Sequence, residues 1–243
     1  MTFVEVPASG SALPAYLALP THPVPQGADP APEGTRLAPG VIVIQEWWGL
    51  VPHIRNVCDR LAKEGFAALA PDLYRGAVTT EPDEAKKLMM GLEVSQAASD
   101  IAAAADFLVR SGHLAADRVG AMGFCMGGGL ALLAPTVSPH IDCAVAFYPA
   151  MTWPQYLPAW DNYRGREALI HQCESDVSST GPEITRYAGA IADHGGVALV
   201  ETYTGTSHAF FNDDRPEVFH AVAAQRAWDQ SLEMLRRRLH SPF

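Results

Sequence analysis

The sequence predicts an α/β fold, a mostly parallel sheet with helices on both faces. From residue 41 onward, short apolar runs of strand length alternate with stretches whose apolar residues recur at helical spacing. Glycine, proline and aspartate punctuate the boundaries. The 243 residues are 48% hydrophobic and 18% charged, with mean hydropathy +0.02. That is enough apolar material to close one sizeable core, so a single domain over 1–243 is expected.

The elements follow in order. Residues 3–6 and 15–19 are β-prone runs around Ser9-Gly10-Ser11, as in an antiparallel hairpin at a sheet edge. Residues 21–40 carry Pro23, Pro25, Pro30, Pro32 and Pro39, which denies them a regular element and makes them a surface loop. Val41-Ile42-Val43-Ile44 reads as a buried strand, and in 53–64 the residues Ile54, Val57, Cys58, Leu61 and Ala62 form one helical stripe. A strand over 66–70 ends in Pro71-Asp72, and Ile101, Ala104, Ala105, Leu108 and Val109 make the next stripe before Ser111-Gly112. Strands are expected at 118–122, 143–147, 168–172 and 197–203, with helices at 127–134, 184–194 and 218–239. Repeated strand-helix units of this kind specify parallel pairing.

Charge and composition exclude several function classes. A formal net charge of −10 opposes binding to phosphate backbones or anionic lipid, so neither nucleic acid nor a membrane surface is an expected partner. No apolar run approaches a membrane span, and residues 1–10 lack the basic start and apolar core of a secretory signal, so a cytoplasmic location is expected. Cys58, Cys125, Cys143 and Cys173 include no C-x-x-C pair and read as reduced thiols. The nine histidines contain no zinc-type spacing, and there is no phosphate-binding glycine loop, so neither metal nor cofactor is expected.

In open parallel sheets the chemistry gathers beyond the carboxyl ends of the strands. The residues just past those ends are Glu46, Asp72, Cys125, Asp176 and His208. Cys125 lies in Gly123-Phe124-Cys125-Met126-Gly127-Gly128-Gly129, a G-x-S-x-G pattern with cysteine for serine, between a strand and a helix. Such a turn holds a nucleophile in a strained backbone conformation, and the flanking glycines let neighbouring chains pass without a Cβ in the way. Most free cysteines are inert buried thiols, and glycines also serve simply to pack a helix on a strand. The partners tilt the balance. Asp176 and His208 follow successive later strands, in the order acid then base that this layout requires. Taken singly, Asp176 would be a turn residue and His208 an idle loop histidine. His171 lies within a strand, where a satisfied core histidine is the plainer reading.

Glu46 ends an apolar strand in Gln45-Glu46-Trp47-Trp48-Gly49, either as the first exposed residue after it or as a carboxylate facing the nucleophile. The backbone N–H groups of Trp47 and Met126 are the natural oxyanion donors. Trp47, Trp48, Trp153, Tyr156, Trp160, Phe210 and Phe211 either line an apolar acyl or aryl pocket or pack in the core.

With these residues in hand, the chain resembles the dienelactone hydrolase family, the carboxymethylenebutenolidase-like α/β-hydrolases. The likeness rests on Val41-Ile42-Val43-Ile44-Gln45-Glu46 with Gly49, on Ala70-Pro71-Asp72-Leu73-Tyr74, on the cysteine turn, and on Ser207-His208-Ala209-Phe210. It implies an α/β-hydrolase fold, Cys125 as nucleophile, His208 as base and then acid, Asp176 as its orienter, and Glu46 as a partner that helps deprotonate the thiol once substrate binds. The reaction implied is cleavage of a small ester or lactone through a thioester acyl-enzyme, without a cofactor. Family members hold a substrate carboxylate with two arginines, one before the helix after the Asp-Leu-Tyr strand end and one four residues past the histidine. Here the first region reads Thr80-Glu81-Pro82-Asp83-Glu84-Ala85-Lys86-Lys87-Leu88 and the second position is Asn212. Lys86, Arg75 or Arg215 stand as substitutes, with Trp48 and Phe210 as further substrate contacts, and a substrate other than dienelactone itself is expected. The same fold also accommodates a thioesterase, an activated-amide hydrolase, or a silent ligand-binding or redox-sensing member, as a monomer or a homodimer.

Overall fold

The sheet begins at an antiparallel edge. In the computed structural model, which describes residues 1–8, 10–20, 38–150, 153, 156–176 and 181–239, β1 (Thr2–Val6) pairs with β2 (Leu13–Ala18). Strand β2 in turn runs antiparallel to β4 (Ala67–Pro71). Every later pairing is parallel: β3 (Ala38–Ile44) lies between β4 and β5 (Leu114–Phe124), followed by β6 (Ile141–Phe147), β7 (Glu167–Ser175) and β8 (Val197–Ser207). The spatial order is β1-β2-β4-β3-β5-β6-β7-β8. Parallel neighbours need crossovers. The helical ones are α1 (Pro52–Lys63), α2 (Pro82–Met90) with α3 (Val94–Arg110), α4 (Met126–Val137), and α5 (Gly181–Asp193), while between β6 and β7 the described residues hold a 3-10 turn at Trp160–Tyr163, and α6 (Ala221–Leu239) follows β8.

Both faces of the central strands are covered, which is why β3 is buried along its whole length and reads as an unbroken apolar run. Helices α1 and α6 meet on one face, where the Arg60 guanidinium lies 4.2 Å from the Trp228 ring centre and Arg236 pairs with Glu64. Helix α6 seats closely over Gly120, where a Cβ would stand 2.6 Å from Leu235 Cδ2 and would make that side chain shift. Helices α3 and α4 pack together against β3 and β5, and α5 lies on β8. No helix among the described residues is long and apolar enough to cross a membrane.

The elements expected from the sequence are present, several with shifted ends, and three differences have a physical reason. Strand β3 starts at Ala38, inside the stretch read as a loop, and a register irregularity between Ala38 and Gly40 accommodates Pro39, which has no N–H to give the ladder. The rest of that loop, 21–37, lies outside the described residues, as do Ser9, His22 and His240. Helix α2 was not anticipated, because Ala85 is its one buried residue and it shows no apolar stripe; its signals are Pro82 at the first position and Asp83 and Glu84 in the first turn. Helix α6 starts at Ala221 instead of 218, with His220 Nδ1 accepting the Ala223 N–H at 3.3 Å.

Candidate active site

Because β3 to β8 run parallel, their carboxyl ends share one edge of the sheet, and that edge carries Glu46, Cys125, Tyr148, Asp176 and His208. Cys125 sits between β5 and α4 with φ 55° and ψ −118°, a conformation that costs a non-glycine residue of order 1–3 kcal/mol. Surrounding bonds hold it there. Its N–H donates to the Phe147 carbonyl at 3.0 Å, and its own carbonyl accepts the N–H groups of Ala150 at 2.9 Å and Gly129 at 3.2 Å. The glycines are obligatory on steric grounds: a Cβ at 123 would lie 1.9 Å from the Gly127 carbonyl oxygen, and one at 127 would lie 2.4 Å from the carbonyl oxygens of both Ile44 and Gln45. The motif therefore does more than pack a helix on a strand. It brings the Cys125 turn into contact with the end of β3.

Beside Cys125, His208 Nδ1 and Asp176 Oδ2 are 2.7 Å apart, with the Asp176 side chain 2% exposed and that of His208 22%. Burial disfavours a charged imidazole, yet the hydrogen bonds to Asp176 and to Cys125 outweigh it and push the His208 pKa up to about 10. Asp176 Oδ2 also accepts the Cys173 thiol at 3.1 Å. The sequence thus located three groups, Cys125, His208 and Asp176, that the fold brings together.

Glu46 is 1% exposed, so it is not a surface residue past the strand end. One oxygen accepts the Tyr148 hydroxyl at 3.3 Å and the other the Asn212 side-chain amide at 2.8 Å. Sequence reasoning missed both partners as members of the site. Tyr148 directly follows β6 and was therefore at a strand end like the others; its φ of 37° and its ring, 5.0 Å from that of His208, tie it to the cluster. The hydroxyl lies between a carboxylate and the cysteine turn, and burial first, then Glu46, raises its pKa well above the ordinary value. Asn212 was noticed only as an absent arginine.

A cavity of about 560 Å³ adjoins this cluster through Asn212 and is walled by Trp48, Val51, Pro52, Thr79 and Pro82. Arg215, on its rim, is paired with Glu217 at 2.9 Å, and Asp214 lies beside it. Buried His53 on the same wall holds Asp213 at 3.1 Å through Nδ1. Three expected substrate contacts need correction. Phe210 is fully buried between the Tyr148 and Tyr203 rings, and Phe211 stacks on Phe124, so these two aromatics support the site from the core. Arg75 points to a different cavity, of about 470 Å³, and both its terminal nitrogens hold Asp100, at 2.9 and 3.0 Å. Lys86 is exposed on α2 and belongs to the lining of neither cavity. His171, in contrast, is the satisfied core histidine the sequence suggested, bonded to Tyr203 and Ser231 at 2.8 and 2.9 Å. Among the described residues no cluster of three His, Cys, Asp or Glu side chains has the arrangement to hold a metal ion.

Comparison with known proteins decides the family. The sequence matches the dienelactone hydrolase family over residues 28–239. The chain belongs to that family. This makes it a hydrolase of the carboxylic ester and lactone class, with the α/β-hydrolase fold. Relatives include "Protein usf" of Aquifex pyrophilus, 34% identical over 208 residues that span 83% of this chain and 89% of that protein. A protein of Escherichia coli (strain K12) named "Putative carboxymethylenebutenolidase" is 31% identical over 255 residues, spanning 97% of this chain and 86% of that protein. Among solved structures, a dienelactone hydrolase-like promiscuous phosphotriesterase from metagenomic libraries superimposes with a TM-score of 0.84 over 98% of each chain. At 19% identity that likeness speaks for the fold alone.

Proposed function

We propose that this dienelactone hydrolase family member cleaves a small, uncharged ester or lactone through a Cys125-His208-Asp176 triad and a thioester acyl-enzyme. The observation that carries the reading is the 2.7 Å contact between His208 Nδ1 and Asp176 Oδ2, with Cys125 presented beside the ring on a turn at φ 55°. His208, whose raised pKa favours it as the proton's holder, takes the Cys125 thiol proton, sulfur adds to the substrate carbonyl as the thiolate, and Asp176 orients the ring and stabilises the imidazolium. The N–H of Met126, in the first turn of α4 and so without an acceptor inside the helix, and that of Trp47 stabilise the oxyanion. His208 then returns the proton to the departing alkoxide, leaving the acyl group on sulfur. Water, deprotonated by His208, attacks the thioester, and the thiol leaves with its proton restored. Glu46, held by Tyr148 and Asn212, is the further carboxylate that helps draw off the thiol proton once a substrate displaces one of its donors.

The substrate class follows from the charges around the adjoining cavity. Asn212 is engaged with Glu46, Arg215 is neutralised by Glu217, and Asp213 and Asp214 add negative charge, so among the described residues the cavity has no unpaired guanidinium fork for a substrate carboxylate. Its Trp48, Val51, Pro52 and Pro82 wall suits an apolar acyl or alcohol group. The test is release of p-nitrophenol from short-chain and aryl esters beside loss of dienelactone absorbance, for wild type and Cys125→Ala. Ester turnover that vanishes in the variant, with dienelactone left intact, is the expected result. Undiminished turnover in Cys125→Ala overturns the nucleophile, and efficient dienelactone turnover overturns the uncharged substrate.

A further inference from the structure

Asp176 carries a second hydrogen bond that the reaction does not explain. Its Oδ2, the oxygen 2.7 Å from His208 Nδ1, also lies 3.1 Å from Cys173 Sγ, which donates to it. Cys173 is 1% exposed and belongs to β7, three positions before the acid. The β7–β8 ladder is regular from Glu167 to Cys173, then shifts register between Cys173 and Ser175, where the Glu174 carboxylate takes the Gly205 N–H at 2.9 Å. An irregularity of this kind re-aims the side chains beyond it. Here it turns the Asp176 carboxylate back over the last regularly paired residue of β7.

A buried carboxylate is tolerated only when donors occupy its lone pairs, and a donor fixed to the oxygen facing His208 also fixes its rotamer. The Cys173 thiol is such a donor, and a hydroxyl in the same place would be one too.

We propose that Cys173 is a positioning residue of this site: its thiol pins Asp176 Oδ2 in the orientation that meets His208 Nδ1. The inference rests on the triad reading above and assigns a task to a thiol that does not touch substrate. It separates cleanly from a mere packing role, because the two order substitutions oppositely. Packing alone favours Cys173→Val over Cys173→Ser, since valine fills an apolar site and serine brings a hydroxyl into it. Positioning favours Cys173→Ser, which keeps a donor, over Cys173→Val and Cys173→Ala, which have none.

The experiment measures kcat and KM on an activated ester for the full-length wild type and the three variants. It also records the far-downfield proton resonance of the His208 Nδ1–H, which reports the bond to Asp176 without any turnover. Positioning predicts that Cys173→Val and Cys173→Ala lose kcat about tenfold with KM within about twofold, and that both move the resonance. Cys173→Ser is expected to stay within about threefold of wild type. A Cys173→Val protein with wild-type kcat and an unmoved resonance overturns the proposal, as does a folded serine variant that is worse than valine. If wild type turns over no ester but the resonance moves in the stated order, the positioning role stands and the hydrolytic reading of the triad fails.

Discussion

Asn212 and Glu46, 166 positions apart in sequence, meet in the interior with the amide donating to the carboxylate at 2.8 Å. Both are nearly inaccessible, at 3% and 1% exposed, so the bond forms where a lost partner is not replaced by water. A hydrogen bond to a charged group in such a place contributes about 1.5–3 kcal/mol. Asn212→Leu is therefore expected to lower unfolding free energy by about 2 kcal/mol. In the Glu46→Gln background the same change should cost clearly less, giving a coupling of about 1 kcal/mol or more in a double-mutant cycle from urea melts. Additive losses would mean that the two side chains do not interact in solution.

Glu46→Gln also tests the acid's part in the chemistry. If the carboxylate helps draw off the thiol proton, the substitution slows acyl transfer to Cys125 and leaves water attack on the thioester less affected, because only the first step begins from a thiol. Burst amplitude and single-turnover rates with an activated ester resolve the two steps. A drop of about tenfold in acylation with deacylation changed less than threefold is the expected pattern. Equal losses in both steps contradict the assignment.

The His208 environment has a signature in stability. Its pKa rises from 6.5 to about 10 on folding, despite burial, through the bonds to Asp176 and Cys125. A raised folded-state value means that the native state binds the proton more tightly than the unfolded chain does. The resulting stabilisation is fully present below the unfolded value and fades as pH climbs through the folded one. The stability gap between wild type and His208→Gln should thus be widest near pH 6 and close progressively toward pH 10. Chemical denaturation of both proteins across that range measures it, and a gap that stays level or widens with pH contradicts the link.

How much of this was visible in the sequence depends on whether a residue's role is local. Cys125 announces itself because the turn needs glycines within two positions, and Asp176 and His208 because each follows an apolar run at the strand ends. Tyr148 had the same placement, but tyrosine after a buried strand looks like more core until the carboxylate above it is seen. Phe210 was misjudged for the converse reason: adjacency to His208 in sequence does not say which way a ring points, and this one points into the core under Tyr148. Arg75 looked available because its partner, Asp100, lies on α3, 25 positions away and invisible to any local pattern. Helix α2 escaped because it buries a single alanine, and a hydrophobic period needs at least two turns of apolar residues to register.

That Arg75–Asp100 pair has a consequence for the site it does not enter. Both Asp100 oxygens are held by the guanidinium, at 2.9 and 3.0 Å, and Gln96 donates a further bond at 3.0 Å, so the acid is satisfied although its side chain is only 3% exposed. The pair anchors the loop after β4, in which Arg75 has φ 55° and Asp72 accepts the N–H groups of Tyr74 and Gly76. The far end of that loop braces the loop after β3: the Thr79 N–H donates to the Trp48 carbonyl at 3.1 Å, and the Ala77 carbonyl packs so closely on Gly49 that a Cβ there would stand 2.4 Å away. Breaking the pair leaves a guanidinium that is 31% exposed and able to rehydrate, so Asp100→Ala should cost about 2 kcal/mol, less than a fully buried pair would. Loosening the brace should also misalign the Trp47 N–H, lowering kcat several-fold at temperatures where the variant is fully folded. Thermal melts paired with initial rates separate the two effects, and a destabilised variant with wild-type kcat would show that the loop anchors the fold without shaping the site.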